Sequence, residues 1–369
     1  MARTKNIGMI AAAGLALGAL SACTQVNNKN WDPTRINSFK VEITSGQVGS
    51  QSSPLAFTTS GMSYSLKVTA IDSLGGVVTG FAGPVNVSAE PGQVFGGNTF
   101  TFTAGVAQGT IQLKRAFGVT RIWVEDPATY ATGVTDAIYI RGPKISDIQI
   151  SPNTVNSPFN NQRVIVDNQS QLVVTALGRD GYYLTDVGVG NGAWASIYAY
   201  TFGSPQGINP GDQITNLAGT VSEFLGFTEL NNPTWDSTGG TLPVPGYHLL
   251  SCTDLNAADP NLNMEAYESS LVEIDNAAVQ VCASFPSCPD YDQYRQWTVV
   301  STPGNCVGNV VSNFTLIGFD PTQNVGKVFT KLKGTLRNVQ YAHPSWIFEP
   351  HSPADVCCPS CTPAFTQGC

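Results

Sequence analysis

Charge is scarce in these 369 residues: 18 Lys and Arg and 26 Asp and Glu make up 12% of the chain, and the formal net charge is −8. A surplus of acid argues against a protein whose main work is gripping phosphate backbones, because that binding draws on clustered Lys and Arg. Histidine is scarcer still, with His248, His343 and His351 the whole complement. All three stand near Pro or Gly, which predicts exposed loop histidines rather than a catalytic pair. No HExxH, GxSxG or P-loop pattern occurs, so those routes to zinc, serine and phosphoryl-transfer chemistry are missing. Cysteine is absent between Cys23 and Cys252. The apolar run from Ile7 to Leu20 is shorter than the roughly 20 residues a membrane-spanning helix needs.

That run follows Arg3 and Lys5 and ends at the small residues Ser21 and Ala22. A basic start, a short apolar core and small residues before a break predict a secretory signal peptide over 1–22. Leu20-Ser21-Ala22-Cys23 resembles the lipobox of bacterial lipoproteins. The resemblance implies that the Cys23 thiol receives a diacylglyceryl group, that the leader is cut before it, and that the new amine is acylated. Several acyl chains at ~0.8 kcal/mol per buried CH2 would hold the protein on a membrane. Thr24 stands where an inner-membrane retention signal commonly places Asp, so the resemblance implies the outer membrane, at its surface or periplasmic face. Loss of the leader takes the net charge to −10. Residues 23–36, polar and rich in Asn after Cys23, read as a tether.

Gly, Thr, Ser, Asn, Val and Tyr are plentiful, a mixture suited to an all-β exported protein. With Cys23 assigned to lipid, eight cysteines remain: Cys252, Cys282, Cys288, Cys306, Cys357, Cys358, Cys361 and Cys369. An even number in an exported chain predicts disulfides, up to four, and their pairing is left open. The alternative is a metal site on Cys358-x-x-Cys361, with His351 as a further ligand.

Short alternating segments separated by turns predict a β-sandwich over 37–142. They are Ser63 to Asp72, Pro84 to Ala89, Thr99 to Thr103, Gly109 to Lys114, Thr120 to Glu125 and Ala137 to Ile140. The segment from Ala70 to Val85 resembles the strand and turn of bacterial Ig-like surface domains, which implies a spacer or adhesive unit. Over 143–242, the segments from Lys144 to Gln149, Asn161 to Val166, Gln171 to Ala176, Asp180 to Asp186 and Trp194 to Phe202 precede Gly211-Asp-Gln-Ile-Thr-Asn-Leu-Ala-Gly-Thr-Val-Ser-Glu-Phe. This predicts a Greek-key barrel. It resembles the OB-fold modules attached to secreted bacterial nucleases, on Gly219-Thr220-Val221-Ser222-Glu223-Phe224 above all. Residues 268–356 echo it through Ser270 to Val281, Gln296 to Val300, Phe314 to Phe319 and Gly334-Thr335-Leu336-Arg337-Asn338-Val339. An internal duplication is expected, the alternative being one elaborated barrel. A Pro-, Asn- and Asp-rich stretch from Asn231 to Tyr267 includes a Cys252-bearing linker at 243–267, and 357–369 is a Cys-rich tail.

In a regular strand, Trp194, Tyr198, Tyr200 and Phe202 would share one face, with Tyr182 and Tyr183 extending it from the preceding strand. OB-folds bind oligonucleotides or oligosaccharides over strands 2 and 3 through such aromatics, so these six residues are the candidate binding face. Domain packing is the alternative. Basic neighbours are few, chiefly Arg163 and Arg179, which favours a glycan or protein ligand over nucleic acid. Asp254, Asn256 and Asp259 open an oxygen-rich stretch that runs to Glu265 and form a candidate calcium site; ordinary turn chemistry is the alternative. No other cofactor is expected. The nuclease relatives carry catalysis in a separate domain that has no counterpart in these residues. The sequence therefore predicts a non-enzymatic, lipid-anchored envelope protein that binds a protein or glycan. An accessory nucleic-acid-binding module and a metal-dependent hydrolase on the Asp/Asn-rich loop stand as alternatives.

Overall fold

The computed structural model describes residues 32–96, 100–150, 156–189, 192–251, 254–255, 264–282, 284–301, 306–311, 315–340 and 344–369. The leader, Cys23, Cys252, Asn256, Asp259 and His343 lie outside the described residues. Strand accounts for 46% of the structure and helix for 7%, an all-β protein as the composition predicts.

The sandwich contains β1 (Ser38–Ser45), β2 (Met62–Ile71), β3 (Asn86–Glu90), β4 (Gln93–Phe95), β5 (Val106–Lys114), β6 (Gly118–Glu125), β7 (Thr132–Val134) and β8 (Ile138–Ile140). One antiparallel sheet runs β1-β2-β5-β4; in the other, β3, β7 and β8 all pair with β6. Alternation decides which side is inside. Tyr64, Leu66, Val68 and Ala70 of β2 meet Ile122 and Val124 of β6 and Ile138 and Ile140 of β8 in one buried core. Phe100 to Thr103 is not a strand, contrary to the pattern of its side chains. β5 already pairs with β2 and β4, and the segment joins β5 only through a tight turn at Thr103 and Val106. Its phenylalanines still plug the core, Phe102 packing edge-on against Phe81 at 4.8 Å.

A short helix at Ile145–Gln149 occupies the start of the next unit, where the sequence pattern placed its first segment. Then come β9 (Arg163–Ile165), β10 (Leu172–Leu177), β11 (Gly181–Asp186), β12 (Ser196–Tyr200), β13 (Asp212–Phe224) and β14 (Phe227–Thr241). The order β10-β11-β12-β14-β13 closes through a second pairing of β13 with β10, giving a five-stranded barrel in which only β12 and β14 are parallel. β14 reaches eleven residues further than the apolar pattern suggests. Pro233 is accommodated because the register with β13 slips between Thr220↔Asn231 and Ala218↔Thr234, leaving the ring's missing donor outside the ladder.

The third unit is built from β15 (His248–Leu249), β16 (Leu271–Val281), β17 (Gln296–Ser301), β18 (Cys306–Val311), β19 (Val328–Gln340), β20 (Pro344–Glu349) and β21 (Val356–Cys357). Its order β16-β17-β18-β20-β19, closed by β19 on β16 with β18 and β20 parallel, repeats the connectivity of the preceding barrel. The registers match as well. Val221 faces Leu230 and Leu336 faces Phe348, each two residues after the glycine of its Gly-Thr pair. The expected strand near Phe319 is a turn; Leu316 and Phe319 nonetheless enter the core beside Trp297 and Phe329. Disulfides join Cys282 to Cys288, Cys357 to Cys369 and Cys358 to Cys361. Cys358 and Cys361 are therefore bonded to each other rather than held as metal ligands, and both sit in the barrel core. The Cys306 side chain is outside the described residues.

Candidate functional site

The expected aromatic platform divides between three environments. Tyr182 points into its own barrel, fully buried, with its ring edge-on to Trp235 at 5.1 Å. Tyr183, its neighbour in the strand, faces the opposite way and packs with Tyr198 at 4.7 Å; Phe227 of β14 and Leu271 of β16 complete this buried cluster between the barrels. Trp194 and Phe202 lie beyond the ends of β12 with left-handed φ values of 67° and 63°, so the two-residue alternation assumed for them does not reach that far. Tyr200 is half-buried and its ring lies 4.5 Å from that of Phe202, which is 63% exposed. The six residues do not form one platform; Tyr183 and Tyr198 are inter-barrel packing, and Tyr182 belongs to the core of its own barrel.

Polar groups cross the same junction. The Tyr183 hydroxyl donates to Glu349 Oε2 at 2.6 Å, and Arg337 Nη1 lies 3.5 Å from Glu349 Oε1. Tyr198 donates to Asp180 Oδ1 at 2.6 Å. Burial and the Glu349 charge push the Tyr183 hydroxyl well above the usual phenol range. Burial works against the Arg337 charge, but Glu349 and its neighbours outweigh it and leave the guanidinium more firmly protonated. His351 is not a free loop histidine: its ring bonds Thr335 Oγ1 at 3.1 Å and lies beside Tyr183, and burial lowers its pKa. His248 stacks on Tyr267 at 4.1 Å.

Beside this network opens a cleft of about 320 Å³. Asp180, in the turn between β10 and β11, and Leu225, in the turn between β13 and β14, both line it, with Tyr198 and Tyr200 of β12 between them. Glu229 and Asn231 of β14 and Arg337 and Asn338 of β19 supply further polar groups, and Phe224 an exposed ring. Glu229 is almost fully buried and makes no hydrogen bond among the described residues. Burial, reinforced by the Asp180 charge, raises its carboxyl to about 7. Asn338 is 2% exposed, yet among the described residues its Oδ1 has no partner, and neither do Asn231 Oδ1 and Arg337 Nε. Buried polar atoms left open beside a cavity are groups for which a ligand can supply the missing partner.

The sequence pattern missed Glu229, Asn231, Arg337 and Asn338. A signal for Arg337 existed in the duplication, which sets Gly334-Thr335-Leu336-Arg337 against Gly219-Thr220-Val221-Ser222; Ser222 and Arg337 both reach the cleft. Of the expected calcium ligands, only Asp254 is described. Its Oδ2 accepts from Ser251 N and Oγ at 2.7 and 2.6 Å, the behaviour of a turn carboxylate. Among the described residues no three His, Cys, Asp or Glu side chains already converge on one metal position.

No family model matches this chain, and no curated protein does. Among solved structures it is similar to domains 4–9 of the surface layer protein SbsC, at 15% identity and a TM-score of 0.19. That match covers 66% of this chain and spans 43% of the other, and at this score it carries no argument about fold or function.

Proposed function

We propose that this is a non-enzymatic, lipid-anchored protein of the bacterial cell envelope that binds a glycan in the cleft beside two OB-like barrels, with the Ig-like sandwich as spacer. The cleft's position carries the reading. In OB-folds the third strand and the turns between strands 1 and 2 and strands 4 and 5 surround the ligand. Tyr198 and Tyr200, Asp180 and Leu225 hold those places here. Rings offer a flat apolar surface to the C–H face of a sugar. Carboxylates, amides and a guanidinium pair with its hydroxyls. The Asp180 carboxylate in the cleft is the wrong charge for a phosphate, which favours a glycan over an oligonucleotide. The leader and the lipobox-like Cys23 support the anchor and the outer membrane.

Calorimetric titration of the purified chain with envelope and capsular oligosaccharides tests the reading. A sugar that binds with little salt dependence, and at least about tenfold more weakly to Tyr200→Ala or Asn231→Ala, supports it. Binding of single-stranded DNA that high salt abolishes would replace it with the nucleic-acid reading.

A further inference from the structure

Away from the cleft, two buried glutamates, Glu265 and Glu268, and the half-buried Glu223 lie where the β13–β14 hairpin meets the connection into β16. Thr228 links two of them: its backbone N–H donates to Glu268 Oε2 at 3.0 Å and its hydroxyl to Glu223 Oε1 at 2.9 Å. Glu223 Oε1 also accepts from Ser157 N. Among the described residues the opposite oxygens, Glu223 Oε2 and Glu268 Oε1, have no partner, nor does either oxygen of Glu265. Glu265 and Glu268 are 3% and 2% exposed, and the buried hydroxyl of Ser269 is unpartnered too. Among the described residues no lysine, arginine or histidine bonds any of the three carboxyls. A buried carboxylate oxygen without a donor or cation costs several kcal/mol, so four of them in one place leave out a component of the site.

We propose that Glu265 and Glu268 bind a calcium ion that pins the linker to the first barrel, with Glu223 adding negative charge through Thr228. An all-oxygen set of carboxylates with a nearby hydroxyl suits a hard divalent cation. Calcium tolerates irregular bidentate geometry that magnesium does not. Among the described residues no three acidic side chains already converge on one position, so the ion would draw the pair together. The electrostatics agree: burial raises Glu265 to about 8 and holds Glu268 well above the usual carboxylate range, each worsened by nearby carboxylates, and a divalent charge would reverse that. The candidate loop at Asp254 is thus displaced by its far end, Glu265.

The test uses the exported, lipidated chain in detergent, stripped of metal, at pH 7.5. Calcium should raise its melting temperature relative to chelator. Terbium should bind and luminesce through Trp194, whose backbone N–H donates to the carbonyl of Ala266 next to Glu265; calcium should quench that signal by displacement. Glu265→Gln should weaken calcium binding at least tenfold, yet melt no lower than wild type in chelator, because the amide keeps the shape of the carboxyl and cannot ionise. Glu268→Gln serves as the second variant with the same expectation. No response to calcium up to about 5 mM, well past weak extracellular sites, would overturn the proposal in favour of carboxyls that share protons. An undiminished response in both variants would overturn it by placing the ion elsewhere. Neither result touches the glycan reading, which rests on other residues.

Discussion

Glu229 is a carboxyl whose surroundings hold a proton at neutral pH. Its folded pKa of about 7 stands above the ordinary 4.5 because burial, with Asp180 nearby, disfavours the charge. The folded state therefore keeps a proton that the unfolded chain gives up. The stabilisation is fully present below about pH 4.5 and is lost as pH rises through 7, with a slope of up to about 1.4 kcal/mol per pH unit. Glu229→Gln should remove this component, so urea midpoints of wild type and variant measured from pH 5 to 8.5 should diverge in the variant's favour. Parallel curves would contradict the assignment. At this scale the sequence said little: Glu229 sits in Phe227-Thr228-Glu229-Leu230, where alternation predicts a solvent-facing acid. It is buried because the opposing β19 of the other barrel contributes Arg337 and Asn338 to the same cleft.

Among the elements, the β13–β14 hairpin carries the clearest tension between folding and function. Its two-residue turn places Leu225 at φ 55° and Gly226 at φ 84°, the doubly left-handed geometry that favours Asn-Gly. Leucine is a poor residue there, and its side chain lines the cleft. Leu225→Asn is expected to stabilise the protein by about 0.5–1 kcal/mol in denaturant titration while weakening sugar binding by calorimetry. A variant that gains stability without losing affinity would remove Leu225 from the ligand's path. The first strand of the hairpin was legible, through Gly219 to Phe224. The reach of β14 to Thr241 was not, because Pro233 and a run of Asn, Asp and Gly read as loop chemistry and the slipped register that tolerates them arises only on pairing.

On the scale of the whole molecule, aromatic contacts join the units. Phe57 and Phe117 from the sandwich region pack on Phe159 of the barrel at 5.6 and 6.3 Å. Tyr183 and Glu349 tie the two barrels across 166 residues of sequence. A lipid at Cys23 would hold this assembly on the membrane by a short polar tether. Cys23→Ser should abolish labelling by radioactive fatty acid and leave the leader uncut, read as a slower-migrating band by electrophoresis. Labelled lipid on the variant would refute the anchor.

The sequence by itself determined the β class, the turn-bounded units and the repeated Gly-Thr strand. Each of these is local: alternation and turn residues act over a few neighbours. Only the tertiary structure decided what each apolar face covers. All six residues of β11 are buried, because one side lines its own barrel and the other meets the second barrel, and alternation cannot distinguish the two. The cleft and the carboxyl cluster belong to the same class of fact. Thr228 meets Glu268 forty residues away, and Asn231 meets Arg337 at the cleft from a different barrel. Such pairs are set by how the barrels dock, which depends on the shape and packing of both surfaces together and not on any short stretch of either.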